Sequence, residues 1–187
     1  ATLALDSNIA DFMTISATAR QSTNGFGSIE QGPSERDKID KKQYDLVSNI
    51  NVGQLFPKKW GLNIPFNYGQ GEELITPEYD QQYRDIKLNS RLEAAETQEE
   101  KNNILQQSED YTKRKSINLI GVSKQRTGDN KPRFYNIENF TFNYSYNQVE
   151  HRDYEIESML DQNIRAGASY NFNFNSLKLE PFKNNDS

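Results

Sequence analysis

The chain has 187 residues, of which 34% are hydrophobic, and its mean hydropathy of -0.94 is low for a protein with a large apolar core. Its net charge of -5 argues against nucleic acid as a main partner, and the absence of cysteine excludes a disulfide scaffold and thiol chemistry. No stretch approaches the roughly 18 apolar residues of a membrane helix, and the first residues lack the regions of a signal peptide.

Alternation of apolar and polar residues predicts about six β-strands. In chain order they cover roughly residues 10–20, 43–56, 60–68, 115–124, 140–147 and 164–174. Pro65 weakens the third strand, because proline has no N–H to donate to a neighbouring strand. A tight Pro57-Lys58-Lys59 turn is predicted between the second and third strands. The longest connection, 69–114, is predicted to contain one solvated helix with a sparse apolar stripe of Leu88, Leu92, Ala95 and Leu105.

The run from Phe140 to Asn147 alternates strictly between aromatic and small uncharged polar residues. Successive strand residues point to opposite faces, so this strand has an aromatic face and a polar face. Such a strand either lies half-buried on a soluble core or crosses a membrane between lipid and a hydrated lumen. A soluble sandwich is the commoner source of the pattern. Strand lengths of about 9–11 residues, alternating long and short connections, and the placement of Trp60 and Tyr68 favour the membrane interpretation.

The same alternation assigns individual side chains to the two faces. Those predicted to face lipid or a membrane-buried partner are Trp60, Leu62, Ile64, Phe66, Tyr68, Phe140, Phe142, Tyr144, Tyr146, Tyr170, Phe172 and Phe174. Those predicted to face a hydrated lumen are Asn63, Asn67, Thr141, Asn143, Ser145, Ser169, Asn171 and Asn173. About six spanning strands are fewer than the smallest closed barrel has. The expected fold is therefore all-β, with residues 1–187 forming one sector of a very large antiparallel transmembrane β-barrel domain, interrupted by the long loop 69–114.

Nothing in the sequence points to catalysis. His151 is the only histidine, and beside Arg152 and Asp153 it is expected to be a solvated loop residue. One histidine without cysteine cannot supply a zinc cluster, and the acidic residues between 99 and 110 are expected to form a solvated face. The segment 77–85 lacks the spacing of an EF-hand calcium loop. The sequence therefore predicts no enzyme, no metal site and no cofactor.

Five groups of short strings carry a resemblance to a known family, and the matches extend from about Ala10 to Phe182. They read STNGFGSIEQ (22–31), LFPKKWGLNIP (55–65), TPEYD (76–80) followed by Asp85-Ile86, DYTKRKSIN (110–118), and RTG (126–128) followed by Lys131-Pro132. Together they resemble the SprA/Sov family, the giant outer-membrane translocon barrels of the type 9 secretion system, which also serves gliding motility.

The resemblance implies a wall segment of a barrel that passes folded proteins across the bacterial outer membrane, with loops on the cell surface. It implies as partners the remainder of the same barrel, a PorV-like outer-membrane barrel, a periplasmic plug, secreted cargo proteins and membrane lipids. The connection 69–114 is then expected outside the cell and the Pro57-Lys58-Lys59 turn in the periplasm. Two alternatives stay open: a soluble β-rich surface domain such as an adhesin, and a sector of a TonB-dependent nutrient receptor.

Overall fold

The computed structural model describes residues 1–10, 12–23, 39–83, 85–129 and 131–173, and in them one antiparallel sheet dominates. Its strands are β1 (Thr2–Ile9), β2 (Met13–Ser22), β3 (Ile39–Asn51), β4 (Leu62–Asn63), β5 (Pro65–Pro77), β6 (Asp110–Lys124), β7 (Phe140–Arg152) and β8 (Met159–Tyr170). Seven lie side by side in the order β1-β2-β3-β5-β6-β7-β8, and β4 pairs with β6. The prediction of an all-β, antiparallel fold is confirmed. The sheet is open, and its eight described strands exceed the six predicted.

The first two strands differ most from the predicted limits. β1 was not predicted, although Leu3, Leu5 and Ile9 share one of its faces. The predicted strand 10–20 begins only at Met13, because Ala10 has a φ of 47° in the turn between β1 and β2. A positive φ is incompatible with an extended strand and marks the reversal of the chain.

The predicted strand 60–68 is also divided. Trp60 ends a short 3₁₀ turn, Lys58–Trp60, which follows another 3₁₀ turn at Val52–Leu55, so the connection is not the tight turn predicted. Gly61 then has a φ of 61°, and a Cβ there would lie 2.3 Å from the Gln125 carbonyl oxygen. Only glycine fits such a close approach at positive φ, so the chain turns there and the long strand begins at Pro65.

The remaining strands are longer than predicted, or displaced. β5 continues to Pro77 and β6 begins at Asp110, so the connection predicted for 69–114 spans only 78–109. Ion pairs between Lys41 and Glu73 (3.0 Å) and between Lys113 and Glu72 (3.4 Å) link the strands where the apolar alternation has ended. β8 ends at Tyr170, short of the predicted limit of 174, and Phe174 lies outside the described residues.

The connection 78–109 contains two helices instead of the one predicted, α1 (Leu88–Ala94) and α2 (Gln98–Ser108). Thr97 starts the second by accepting a hydrogen bond from the Glu100 amide at 3.1 Å. The buried apolar residues of the described chain, Leu88, Ala95 and Ile104, all lie in this connection. Within the described residues, no helix is both long enough and apolar enough to cross a membrane.

Candidate functional site

The strand register gathers most apolar residues of the sheet on one side, while a few, among them Val47, Ile75 and Val149, lie on the other. Paired residues on neighbouring strands point to the same face, and one such row joins Tyr68, Ile117, Tyr146 and Ile164. We call this side the apolar face. Its apolar residues are Leu3, Leu5, Ile9, Met13, Ile15, Ala17, Ala19, Tyr44, Leu46, Ile50, Leu62, Phe66, Tyr68, Leu74, Tyr111, Ile117, Leu119, Val122, Phe140, Phe142, Tyr144, Tyr146, Leu160, Ile164, Ala166, Ala168 and Tyr170.

The opposite side, which we call the polar face, is lined by hydroxyl and amide groups. One row crosses five strands, in the order Thr14, Asn49, Asn67, Asn118 and Ser145. Within it the Asn49 amide donates to the Thr14 hydroxyl (3.2 Å), the Asn67 amide donates to Asn49 (2.7 Å), and the Ser145 hydroxyl donates to Asn118 (2.7 Å). The side chains of this row are thus hydrogen-bonded along the surface, where they also remain able to bind water.

The register separates most of the predicted site residues in the expected way. Leu62, Phe66, Tyr68, Phe140, Phe142, Tyr144, Tyr146 and Tyr170 fall on the apolar face, and Asn63, Asn67, Thr141, Asn143, Ser145 and Ser169 fall on the polar face. What each face contacts in the native protein stays a prediction. Trp60, Ile64, Asn171, Phe172 and Asn173 lie outside the strands, where the alternation that assigned them no longer holds. Thr14, Asn49 and Asn118 were not singled out from the sequence, because only the register places them in the row.

The apolar residues form a band that runs obliquely across the strands. On β3 the band reaches Tyr44, whereas the residue of β7 in the same row is Glu150, and the band there ends four residues earlier, at Tyr146. At the other limit, the last apolar residue of this face on β3 is Ile50, which lies in the row of Tyr144. On β7 the band continues four residues beyond that row, to Phe140. Averaged over the three strand spacings from β3 to β7, this displacement corresponds to a slope of about 40°. It is a step between β3 and β5, because from β5 to β8 the limit lies in one row, that of Tyr68 and Ile164. Leu74, Tyr111 and Leu160 are the apolar residues that lie beyond this band on the same face.

Tyrosines mark the limit of the band on β5 and β7. The Tyr68 hydroxyl donates to Gln70 (2.7 Å), whose amide donates to Glu72 (3.0 Å). On β7 the Tyr146 hydroxyl donates to Gln148, whose amide donates to Glu150 (2.5 Å). Each tyrosine ring therefore belongs to the apolar band while its hydroxyl joins a polar network, as is typical of residues at a membrane–water boundary.

His151 lies on β7 and is not the solvated loop residue that the sequence suggested. Its side chain is 19% exposed, with Nδ1 2.9 Å from the Thr112 hydroxyl and Nε2 3.0 Å from the Asp153 carboxylate. The hydrogen bond from His151, together with two backbone amides, lowers the pKa of Asp153. In the parts of the chain that the structure describes, no three acidic or histidine side chains are grouped to hold a metal ion.

Asp80 organises the connection 78–109. Its side chain is 1% exposed, forms an ion pair with Arg91, and accepts hydrogen bonds from the amides of Gln82 and Tyr83, both at 2.8 Å. This carboxylate, considered above for a calcium site, is thus already fully engaged. Burial alone would raise the pKa of Asp80, but the Arg91 and backbone hydrogen bonds outweigh it and hold the pKa below its ordinary 3.8.

We expect Asp80→Asn to open the connection 78–109 locally, because the substitution leaves the Arg91 charge partly buried and unpaired. The cost is about 3 kcal/mol, measurable as faster hydrogen exchange in residues 78–92 of the full-length protein. A depressed carboxyl pKa stabilises the fold above the ordinary value, so wild-type protection should persist at neutral pH. It should fall as the pH drops below 3.8 towards the lower folded-state pKa. Glu93→Gln, an exposed change on the same helix, should leave exchange unchanged; equal effects of the two substitutions would contradict this role of Asp80.

Comparison with protein families gives a match in the first half of the chain. The model of the SprA_N family, described as motility related/secretion protein, matches residues 1–92, which include β1 to β5 and the strings LFPKKWGLNIP and TPEYD. Comparison with curated protein sequences gives no match. Over residues 1–92, the chain therefore belongs to the SprA_N family of motility-related and secretion proteins.

Proposed function

We propose that the chain forms a wall segment of a protein-conducting channel in the bacterial outer membrane, through which folded proteins reach the cell surface. The observation that carries the proposal is the division of a single sheet into an oblique apolar band on one face and rows of amide and hydroxyl groups on the other. The apolar face then contacts lipid, and the polar face lines the lumen. Such a wall keeps the lumen hydrated, so that cargo does not adhere to it, and this role needs no catalytic group.

The slope of the apolar band supports this assignment. Strands of transmembrane barrels tilt by about 35–45° from the membrane normal. The residues that lie in the bilayer are therefore displaced along the strand from each strand to the next. The mean slope of about 40° between β3 and β7, derived above from the strand spacing and rise, lies in this range. The tyrosines at the limit of the band, Tyr68 and Tyr146, would then lie at one membrane surface.

The single layer of the sheet argues against a soluble sandwich. A sandwich buries its apolar face against a second sheet about 10 Å away. In residues 1–173, leaving out the undescribed gaps, there is one sheet, and its large apolar side chains are exposed, among them Leu3 (72%), Leu5 (62%) and Ile164 (65%). Lipid would cover this surface without a second layer.

The open edges of the sheet support a place within a larger barrel. β1 and β8 are the outer strands, and each pairs with one neighbour only among the described residues. Unpaired backbone groups are costly in lipid, so further strands of the same barrel would pair with both edges. We propose the remaining partners on the family resemblance: a PorV-like barrel, a periplasmic plug and secreted cargo.

Cysteine labelling of the full-length protein tests the two faces. Single cysteines at Thr141, Asn143 and Ser145 should react with a water-soluble maleimide, whereas cysteines at Phe142, Tyr144 and Tyr146 should react slowly because lipid shields them. Unfolded protein in denaturant serves as the control, since all six sites should then react alike. Uniform labelling of both sets in the folded membrane protein would contradict the proposal.

The same reagent assigns the two ends of the sheet. Long loops of outer-membrane barrels lie outside the cell and short turns face the periplasm. A cysteine at Thr97, in the connection 78–109, should therefore be labelled on intact cells, and one at Lys59 only after the outer membrane has been permeabilised. The reverse pattern would invert the proposed orientation.

A further inference from the structure

The two ends of the sheet carry opposite charge. One end consists of the connections 52–61 and 125–139 with the end of β6, and we call it the basic rim. It has six basic residues against two acidic ones, the basic ones being Lys58, Lys59, Lys124, Arg126, Lys131 and Arg133. The connections 78–109 and 153–158 at the opposite end contain eleven acidic and four basic residues. The basic rim is therefore positive within a chain whose net charge is negative.

Hydrogen bonds hold the two connections of the basic rim together. The Gln125 amide donates to the Gly61 carbonyl at 2.6 Å, and the Thr127 hydroxyl donates to the Lys59 carbonyl at 2.7 Å. Beside this junction lies an open cleft of about 660 Å³, whose charged lining consists of the basic residues Lys124, Arg126, Lys131 and Arg133 and the acidic residues Asp129 and Glu138. The basic side chains thus converge on one concave surface.

The positive charge of the cleft is only partly neutralised. Glu138 forms an ion pair with Lys124 at 2.8 Å, and this hydrogen bond, with smaller effects of its own backbone amide and of Arg126, lowers the pKa of Glu138. Glu138 is therefore ionised and compensates Lys124. Across the described parts of the rim, Arg126, Lys131 and Arg133 form no ion pair, although Arg133 contacts the Tyr135 hydroxyl.

The cleft lies where the apolar band ends. Lys124 is the next residue after Val122 on the apolar face of β6, and Leu62 is its partner on β4. Exposed apolar side chains lie in the same two connections: Trp60 (47%) stacks on Phe56 at 5.5 Å, and Phe134 is 63% exposed. Aromatic residues next to basic ones at the end of an apolar band are the arrangement found at the level of lipid headgroups.

We propose that this cleft binds the phosphate of an anionic phospholipid headgroup, with Arg126, Lys131 and Arg133 as donors. The inference rests on the proposed function, because the cleft meets headgroups only if the apolar band lies in a bilayer. Guanidinium and ammonium groups are the common donors to phosphate, and no carboxylate in the described residues competes for these three by an ion pair. The exposed aromatic residues would enter the boundary between headgroups and acyl chains beside the bound lipid.

Binding of defined lipids to the purified full-length protein in neutral detergent tests the inference. The wild type should bind phosphatidylglycerol more tightly than phosphatidylcholine, and Arg126→Gln with Lys131→Gln should weaken phosphatidylglycerol binding by roughly tenfold or more. The matched control, Lys42→Gln with Lys101→Gln, removes the same charge away from the basic rim and should bind like the wild type. Inorganic phosphate at millimolar concentration should not displace the lipid.

Three results would overturn the inference. The wild type could bind both lipids equally, or the two double variants could lose equal affinity for phosphatidylglycerol. Displacement of the lipid by inorganic phosphate would make the cleft a site for free phosphate. Detergent phase separation of the wild type distinguishes this failure from that of the proposed function. Protein in the detergent phase without a preference for the anionic lipid would overturn the inference alone. Protein in the aqueous phase would overturn the membrane assignment and the inference together.

Discussion

Residues 1–187 expressed alone should fail to form a stable soluble monomer and should aggregate in detergent-free buffer. The chain exposes 14498 Å², whereas a compact monomer of 21.6 kDa exposes about 9,000 Å². In the described residues no apolar side chain of the sheet is buried, so the strands gain little from folding in water. Open strand edges at β1 and β8 would pair with other copies. Size-exclusion chromatography with light scattering measures the outcome.

Two matched variants separate the apolar face from charge as the cause of aggregation. Leu5→Lys with Ile164→Lys places two charges on the apolar face, and Asn8→Lys with Asn163→Lys places two on the polar face. The first pair should reduce aggregation more than the second, since it interrupts the surface through which copies associate. A monodisperse wild-type monomer with a sharp, reversible thermal transition would contradict the prediction and would favour a soluble domain.

Strict alternation is the reason why the faces of the sheet could be predicted from the sequence. In β7 the residue character alternates along Phe140, Thr141, Phe142 and Asn143, with the two-residue period of a strand. Once one side chain of the strand is assigned to a face, the others are assigned as well. The structure keeps this parity except at the register shift between Leu119 and Val122 of β6. Residues as distant as Phe66 and Tyr144 meet in one row through Leu119. A period of two therefore determines the face of a residue, although it leaves open which strands are neighbours.

The ends of the elements could not be predicted, because the apolar alternation stops before the strands do. β5 continues through Gln70, which accepts from the Tyr68 hydroxyl, and Glu72, which accepts from the Gln70 amide and forms an ion pair with Lys113. In the connection 78–109, Thr97 caps a second helix and changes the phase of the apolar stripe, so Ile104 is buried where Leu105 was predicted. The ion pair with Lys113 acts between strands, the Thr97 cap acts through a local hydrogen bond, and hydropathy reports neither.

The slope of the apolar band likewise needed the register. It depends on which residue of β3 lies opposite which residue of β7, and the two strands are about a hundred residues apart in the chain. On β7, Gln148 lies in the same row as Leu46 of β3, and Glu150 lies in the same row as Tyr44. Along one strand, the limit of the band is only a change from apolar to polar residues. Across the sheet, the same change forms the displaced boundary of the band, and this boundary makes the assignment of the apolar face to lipid testable at single positions.

Phe142→Arg in the full-length protein should strongly reduce the amount of assembled protein in the outer membrane. Phe142 lies within the band, pairs with Val122 and Ala168, and is 46% exposed, so it would contact lipid directly. An arginine facing the hydrocarbon costs about 2–4 kcal/mol near the midplane of the bilayer and less towards the interfaces. That cost should appear as a lower denaturant midpoint of the purified protein and as less protein in the membrane fraction.

The neighbouring position supplies the control for that prediction. Thr141 is the preceding residue of the same strand, pairs with Ser123 and Ser169 on the polar face, and would hold an arginine in water. Thr141→Arg should therefore assemble close to the wild-type level, and Phe142→Leu should as well, because leucine keeps the apolar contact with lipid. The two variants add the same charge to adjacent residues of one strand. A difference in their assembly levels therefore depends on the face to which each residue points. If Thr141→Arg were lost as completely as Phe142→Arg, or if both were tolerated, the assignment of the apolar face to lipid would be wrong.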